Sequence, residues 1–237
     1  MKPKYKRVLL KLSGEALARD AAPGAIYNFD HLNAICSKVK ECVDLGVEVA
    51  IVVGAGNIWR GKQGTDFQRV RADHMGMLAT CINALALQDA LEHQGIDARV
   101  LSAVEMETFT ETYIRDKAVS HLKNGKVVIF SCGIGSPYFS TDTAAVLRAK
   151  EIEAEIVLLA KNIDAVYTAD PKKDPNAKRL EHIRYIDVLS QNLQVMDTTA
   201  TSFSMDNSLP VLVFGLNDPQ NIVRAVMGEK LGTVVEA

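Results

Sequence analysis

The chain has 237 residues, of which 48% are hydrophobic and 24% are charged, and its formal net charge is −2 at pH 7. This composition is ordinary for a folded globular protein and argues against intrinsic disorder. A general nucleic-acid-binding protein would carry a basic surplus, so the near-neutral balance argues against nucleic acid as a partner. The length suffices for a single α/β domain with a full core.

The predicted strands and helices alternate along most of the chain. The predicted strands are residues 6–12, 47–53, 98–102, 126–132, 155–160 and 210–214. The predicted helices are residues 30–45, 72–94, 112–123, 141–152, 186–192, 196–207 and 218–227. Asp30 is expected to cap the first helix, and Gly46 and Gly95 are expected to end the first two. The alternation predicts the α/β class, with a parallel sheet flanked by helices.

The residue pattern of the sequence changes near residue 160. Turn signals follow at Asn162-Ile163-Asp164 and Ala169-Asp170-Pro171, and residues 171–179 form a charged loop. We find no internal repeat and no long linker. We therefore predict one domain over residues 1–237, with a first lobe at about 1–160 and a second at about 161–237.

The first residues and the cysteines bear on the cellular compartment. The start is basic, but Lys11 and Glu15 interrupt the apolar stretch behind it too early for a signal peptide. No apolar run approaches the roughly 20 residues that span a bilayer. The four cysteines form no C-x-x-C pair, and free buried thiols fit a reducing compartment. We expect a cytoplasmic protein without a membrane partner.

A lysine inside an apolar strand is the most informative feature. Lys11 lies within Val8–Leu12 and is followed at once by Ser13-Gly14. A buried ammonium costs several kcal/mol unless an anion meets it, and a glycine after a strand lets the backbone approach a ligand. Two more predicted strands end in glycine-rich segments, at 54–56 and 133–135. Since parallel strands end at one edge beside helix N-termini, the pattern predicts a polyphosphate site.

Two familiar phosphate-binding motifs are excluded. Residues 56–62 fit the first seven positions of a Walker A loop, but Gln63 replaces the Ser or Thr that would hold magnesium. A dinucleotide-binding fingerprint fails at 54–59 because the third glycine is missing.

Five motifs, taken in order, resemble bacterial uridylate kinases, which belong to the amino acid kinase fold family. They are Lys-Leu-Ser-Gly-Glu (11–15), Gly-Ala-Gly-Asn-Ile-Trp-Arg-Gly (54–61), Ala-Asp-His-Met-Gly-Met-Leu (72–78), Gly-Ser-Pro-Tyr-Phe-Ser-Thr-Asp (135–142) and Tyr-Thr-Ala-Asp-Pro (167–171). The resemblance extends from about residue 5 to residue 230. It implies a three-layer α/β/α sandwich with a mostly parallel central sheet, and transfer of the γ-phosphoryl group of ATP to UMP.

The resemblance also implies roles for individual residues, with UMP in the first lobe and ATP in the second. The catalytic residues would be Lys11, Arg60 and Asp142, with Asp142 orienting Lys11. The ATP-binding residues would be Lys11, Leu12, Ser13, Gly14, Gly56, Arg60, Lys161, Asn162, Tyr167 and Asp170. The UMP-binding residues would be Ala55, Asp73, Ile134, Gly135, Ser136, Pro137, Tyr138, Phe139, Ser140 and Thr141.

Four positions depart from the usual pattern of these kinases. Ala55 replaces a glycine, which is unstrained only if its φ is negative. Ile134 and Lys161 each stand where a threonine is common, and Ser136 replaces a frequent asparagine. The family further implies Mg²⁺ carried by the nucleotide phosphates without a protein-built metal site, a homohexamer, and possible activation by GTP and inhibition by UTP.

Simpler roles stay open for single residues. Lys11 could be a strand-end lysine that reaches water, and Arg60 a solvated loop arginine. Asp73 and Asp142 could be carboxylates that complement helix N-termini. Two other functions also fit the scaffold: phosphorylation of a carboxylate or carbamate, and nucleotide sensing without catalysis. Asp73 and the loop 134–141 favour a hydroxyl-bearing nucleotide over a small acid as the acceptor.

Overall fold

The computed structural model describes residues 2–59, 66–169, 174, 176–193 and 195–237. The strands are β1 Arg7–Leu12, β2 Glu48–Val53, β3 Ala98–Ser102, β4 Glu111–Thr112, β5 Val127–Ser131, β6 Ile156–Lys161, β7 Val166–Tyr167, β8 Arg179–Leu180, β9 His182–Arg184, β10 Val211–Gly215 and β11 Thr233–Glu236. The helices are α1 Gly14–Leu17, α2 Phe29–Asp44, α3 Arg69–Glu92, α4 Arg115–Lys123, α5 Thr141–Glu151, α6 Tyr185–Ser190, α7 Thr198–Asp206 and α8 Gln220–Val226.

A nine-stranded sheet forms the centre of the molecule, in the order β4-β3-β5-β2-β1-β6-β10-β11-β9, and β7 pairs separately with β8. The pairs within the large sheet are parallel except β10 with β11. In register, Leu12 lies opposite both Val53 and Ala160. The carboxyl ends of β1, β2 and β6 therefore meet at one edge.

Alternate residues of the strands bury into two separate hydrophobic cores. Leu10 and Leu12 enter one core with residues of α2, α3 and α8. Leu9 and Leu159 enter the other with residues of α4, α5, α6 and α7. Because successive side chains of a strand point to opposite faces, each face of the sheet carries its own helical layer. The predicted three-layer α/β/α sandwich with a mostly parallel sheet is confirmed.

Several element boundaries differ from those predicted. The cap of α2 is Asn28, whose side chain accepts from the His31 amide at 3.2 Å, rather than Asp30. Helix α3 begins at Arg69, before the predicted residue 72, and α4 begins at Arg115 because residues 111–112 pair as β4. The short strands β4, β7, β8, β9 and β11 were not predicted. Strands of so few residues carry too little alternation to be recognised.

The cysteines bear out the expectation of free, buried thiols. Cys36, Cys42, Cys81 and Cys132 are all free and buried. Burial raises the pKa of the Cys36 thiol to about 12, as expected for a thiol that serves only packing. In the described part of the chain, none of the helices has both the length and the apolar character needed to cross a bilayer.

We expect Ile51→Ala to lower the free energy of unfolding by about 2–5 kcal/mol, because the emptied site lies in a packed core. Ile51 is fully buried at the centre of β2, opposite Leu10 and Ile129. The matched control is Ile186→Ala on α6, where the side chain is 51% exposed, with an expected change within about 0.5 kcal/mol. Urea denaturation measures the free energy of unfolding of both variants. Equal decreases in the two variants would contradict the assignment of Ile51 to the core.

Candidate functional site

Three glycines bring the ends of β1 and β2 into direct backbone contact. A Cβ placed on Gly14 would lie 2.4 Å from the Asn57 side-chain oxygen, 2.6 Å from the Gly56 amide nitrogen and 2.8 Å from the Gly54 carbonyl oxygen. Real side chains do not tolerate such distances, so only glycine fits at the start of α1. The predicted convergence is therefore present for the glycine-rich ends of β1 and β2.

A buried asparagine, Asn83, and the partly exposed Asn57 hold the loop after β2. The Asn83 amide donates to the Gly54 carbonyl at 2.7 Å and to the Asn57 side-chain oxygen at 2.8 Å. The Tyr27 hydroxyl donates to Asn83 at 3.0 Å. Asn83 was not among the predicted site residues, although it is a single amide on the apolar face of α3, beside Ala84 and Leu87. Buried polar groups need such partners, and here they fix the loop.

Lys11 meets a carboxylate at the first turn of α5. Its Nζ lies 2.6 Å from Asp142 Oδ1, and the two side chains are only 10% and 16% exposed. Burial by itself raises the pKa of the Asp142 carboxyl, but the positive charges of Lys11 and Lys161 outweigh it and hold that pKa below its ordinary value. Asp142 is therefore ionised at neutral pH and fixes the direction of the Lys11 ammonium.

Ser140 caps α5 and so places Asp142. Its hydroxyl oxygen accepts from the amides of Asp142 and Thr143 at 3.0 and 3.2 Å. This is the capping role that the sequence suggested for Ser140 or Thr141. The Ser140 hydroxyl also donates to Asp197, the cap of α7, which accepts from the Thr143 hydroxyl at 3.1 Å and from the Ala200 amide at 3.0 Å.

Asp197 was not among the predicted site residues. Its position before Thr198 marks it as a helix cap, and nothing local indicates that it also reaches α5. The bridge depends on how α5 and α7 pack against each other in the second core.

A cavity of about 120 Å³ opens between α3 and the loop after β5. The predicted UMP-binding residues that line it are Ala55, Asp73, Ile134, Ser136, Phe139, Ser140 and Thr141. Gly135, Pro137 and Tyr138 belong to the same loop but do not line the cavity. Ala55 has a negative φ, so the alanine in place of a glycine is unstrained.

Asp73 ties this loop to the start of α3. Its Oδ2 accepts from the Tyr138 amide at 2.8 Å and from Arg69 Nε at 2.8 Å. The Arg69 guanidinium lies over the Tyr138 ring, 5.3 Å from its centroid. Tyr138 has a φ of 72°, in the left-handed region that non-glycine residues rarely adopt. The contacts to Asp73 and Arg69 therefore hold the loop in a sharply turned conformation.

A second cavity, of about 570 Å³, lies on the other side of Ser140. Asp142, Lys161 and Asp197 line it together with residues of α6 and α7. The Lys161 ammonium donates to the Val195 carbonyl. Burial lowers the pKa of Lys161, and the carboxylates of Asp142 and Asp197 act against that change.

Of the remaining predicted ATP-binding residues, Leu12 and Ser13 lie at the end of β1, Asn162 lies just beyond β6, and Tyr167 lies on β7. Leu12 is fully buried, so it can offer only its backbone, and Ser13 caps α1 by accepting from the Ala16 amide at 3.2 Å. Asn162 is exposed just beyond β6, and the Tyr167 hydroxyl donates to Asp164 at 3.0 Å. Arg60 and Asp170 fall outside the described residues. The nucleotide contacts of all these residues stay predictions.

Asp142→Asn should lower the free energy of unfolding by about 3–5 kcal/mol at pH 7, because Lys11 is left as a buried charge without its partner. The folded-state pKa of Asp142 is depressed, so the stabilisation is present above the ordinary carboxyl value of 3.8 and is lost as pH falls through the folded value. The difference in unfolding free energy between wild type and Asp142→Asn should therefore persist down to about pH 3.8 and narrow as the pH falls further. Chemical denaturation across the acid range measures it.

The control for this prediction is Asp44→Asn. Asp44 pairs with Lys40 at 2.7 Å but is 60% exposed, so its replacement should cost less than about 1 kcal/mol. If Asp142→Asn and Asp44→Asn lowered the free energy of unfolding by similar amounts, the Lys11–Asp142 ion pair would be no stronger than a surface contact.

The sequence and the structure were compared with those of known proteins. The sequence matches the amino acid kinase family over residues 6–215. The structure of UMP kinase from Bacillus anthracis superposes with a TM-score of 0.94 at 42% identity, covering 98% of this chain and 96% of that chain. UMP kinase from Ureaplasma parvum gives a TM-score of 0.92 at 37% identity, covering 99% of this chain and 100% of that chain. The family match includes the strand of Lys11, the converging glycines and Asp142, and the chain belongs to the amino acid kinase family.

Proposed function

We propose that this chain is a UMP kinase that transfers the γ-phosphoryl group of ATP to UMP, giving ADP and UDP. The observation that carries the proposal is the Lys11–Asp142 ion pair, whose carboxylate lines the larger of the two cavities. Ser140 lines both cavities, and Asp142 lines the larger one. Two nucleotides lying end to end would meet at this point. The similarity to two UMP kinases over nearly the whole chain supports the same reaction.

Phosphoryl transfer needs positioning and neutralisation of charge more than covalent help from the protein. The Lys11 ammonium is held rigidly by Asp142 at 2.6 Å, so it would meet the transferred group without reorganising. Gly14 and Gly56 carry no side chains, which lets the ends of β1 and β2 approach each other closely beside Lys11. Arg60, outside the described residues, would add a second charge, as the family resemblance implies.

Magnesium would arrive with ATP and neutralise charge on the phosphates. It prefers phosphate, water and carboxylate oxygens, usually with only one or two carboxylates from the protein. Asp142 provides a carboxylate that is ionised and lines the larger cavity. The carboxylate of Asp197 is already used by two hydroxyls and one amide. Asp142 meets Lys11 through Oδ1, so its other carboxylate oxygen would orient water bound to that magnesium ion.

The smaller cavity suits the acceptor UMP. Asp73 can only accept hydrogen bonds, so it fits ribose hydroxyls and would repel a carboxylate substrate. Its Oδ2 is engaged by Arg69 and Tyr138, which fixes the carboxylate in place. Hydroxyls of Ser136, Ser140 and Thr141 line the same cavity. On the donor side, Asn162, Tyr167 and Asp170 would hold adenine and ribose.

A coupled assay of ATP-dependent phosphorylation, offering UMP, CMP, glutamate and carbamate separately, tests the proposal. We expect UDP from UMP and no product from the two acids, because Asp73 faces the acceptor. Phosphorylation of only an acid would overturn the choice of substrate. Binding of UMP and ATP without release of UDP would instead support a nucleotide sensor.

Lys11→Met should reduce kcat for UDP formation by about 10²–10³-fold, the usual cost of removing one preorganised donor to developing charge. Circular dichroism checks that the variant is folded. The matched control is Lys40→Met, which removes an exposed lysine paired with Asp44 on α2 and should leave kcat unchanged. A folded Lys11→Met enzyme with the wild-type rate would remove Lys11 from the mechanism.

We further propose a cytoplasmic homohexamer that acts in pyrimidine nucleotide biosynthesis. Leu78 and Ile82 on α3 are 55% and 49% exposed, and neighbouring apolar positions on one helix favour contact with a second copy. The four free thiols are compatible with a reducing compartment. Activation by GTP and inhibition by UTP are carried over from the family resemblance and are tested by adding each nucleotide to the same assay.

A further inference from the structure

Lys11 and Lys161 project from neighbouring strands onto the same face of the sheet. In register, Lys11 of β1 lies opposite Leu159 of β6. Paired residues of adjacent strands share a face, and so do residues two apart along one strand. Lys161, two residues beyond Leu159, therefore lies on the face that carries Lys11. Leu9 and Leu159, in the core shared with α5 and α7, confirm the alternation.

The surroundings of Lys161 leave its charge poorly compensated. Its side chain is part-buried, and its ammonium donates to a neutral carbonyl, that of Val195. The charged groups around it are Asp142 from α5, Lys11 from β1 and Asp197 from the start of α7. Asp142 is paired with Lys11, and Asp197 accepts from Ser140, Thr143 and Ala200. Within the described residues, no carboxylate lies within ion-pair distance of Lys161.

A part-buried ammonium without an ion pair is a costly feature for stability alone. An anion entering the adjoining cavity would remove that cost. Lys161 lines the cavity of about 570 Å³ together with Asp142. Its position at the carboxyl end of β6 is also where a parallel sheet binds its ligands.

We propose that Lys161 is a second catalytic cation, which contacts the phosphates of ATP from the donor side while Lys11 contacts them from the centre of the site. The inference rests on the proposed kinase function and makes it more specific. Charge moves from the γ-phosphoryl group toward the leaving oxygen during transfer, and fixed cations stabilise that charge. Lys161 keeps its proton throughout, so no bond of the side chain is made or broken.

The competing explanation is structural. The bond to the Val195 carbonyl joins β6 to the segment before α7, and Lys161 could serve only to hold these elements together. Lys150 offers a matched control, because its ammonium also donates to a carbonyl near α7, that of Asn207, at 3.1 Å. Lys150 is exposed and lies outside both cavities.

The test compares Lys161→Met, Lys161→Arg and Lys150→Met in steady-state kinetics and UMP binding. We expect Lys161→Met to lose about 10²–10³-fold in kcat, with UMP affinity and melting temperature close to those of Lys150→Met. Lys161→Arg keeps the charge and should recover part of the rate. Lys150→Met should keep the wild-type kcat.

The pH dependence of kcat separates charge from structure. Burial lowers the pKa of Lys161 despite Asp142 and Asp197, so the wild-type rate should fall on the alkaline side earlier than an exposed lysine would allow. Arginine stays protonated, so in Lys161→Arg this alkaline fall should move to higher pH. If Lys161 served only to join β6 to the segment before α7, the alkaline fall in kcat would occur at the same pH in wild type and in Lys161→Arg.

Either of two results overturns the inference: a wild-type kcat in folded Lys161→Met, or an alkaline fall at the same pH in wild type and Lys161→Arg. If the wild-type enzyme forms UDP and either of these results is obtained, only the role of Lys161 is contradicted. Wild-type enzyme that makes no UDP from UMP and ATP would contradict the kinase function itself and this inference with it.

Discussion

A cation and a carboxylate that are both largely out of water face each other where β1 ends and α5 begins. Each charge alone would be unfavourable there, and their contact at 2.6 Å is what makes the pair tolerable. The contact constrains its neighbours. Asp142 must stay in the first turn of α5, so the cap at Ser140 must hold, and Ser140 is in turn bonded to Asp197. The two cavities lie on either side of this chain of contacts.

Much of the fold could be predicted because its signals are local. Runs of β-branched residues marked the main strands, and their alternation with helical segments indicated parallel pairing. Lys11 and Gly14 were recognisable as exceptions to an apolar strand, and the convergence of the glycine-rich ends followed from the geometry of parallel sheets. The structure brings Lys11 and Asp142 together, as the family resemblance implied.

The features that could not be predicted depend on distant partners. Asn28 rather than Asp30 caps α2, since both residue types can cap and the path of the preceding chain decides between them. Asn83 and Asp197 each acquire their roles from segments far along the chain. The edge strand β11 depends on pairing with β10 and β9. A local pattern contains none of this information.

The bridge made by Asp197 has a mechanical consequence. One carboxylate holds the first turns of α5 and α7 by accepting from Thr143 on the former and from Ala200 on the latter. A shift of α7, which forms a wall of the larger cavity, would pull on Ser140, which forms a wall of the smaller one. One carboxylate therefore links the walls of both compartments, and a movement of either wall strains the hydrogen bonds that hold the other.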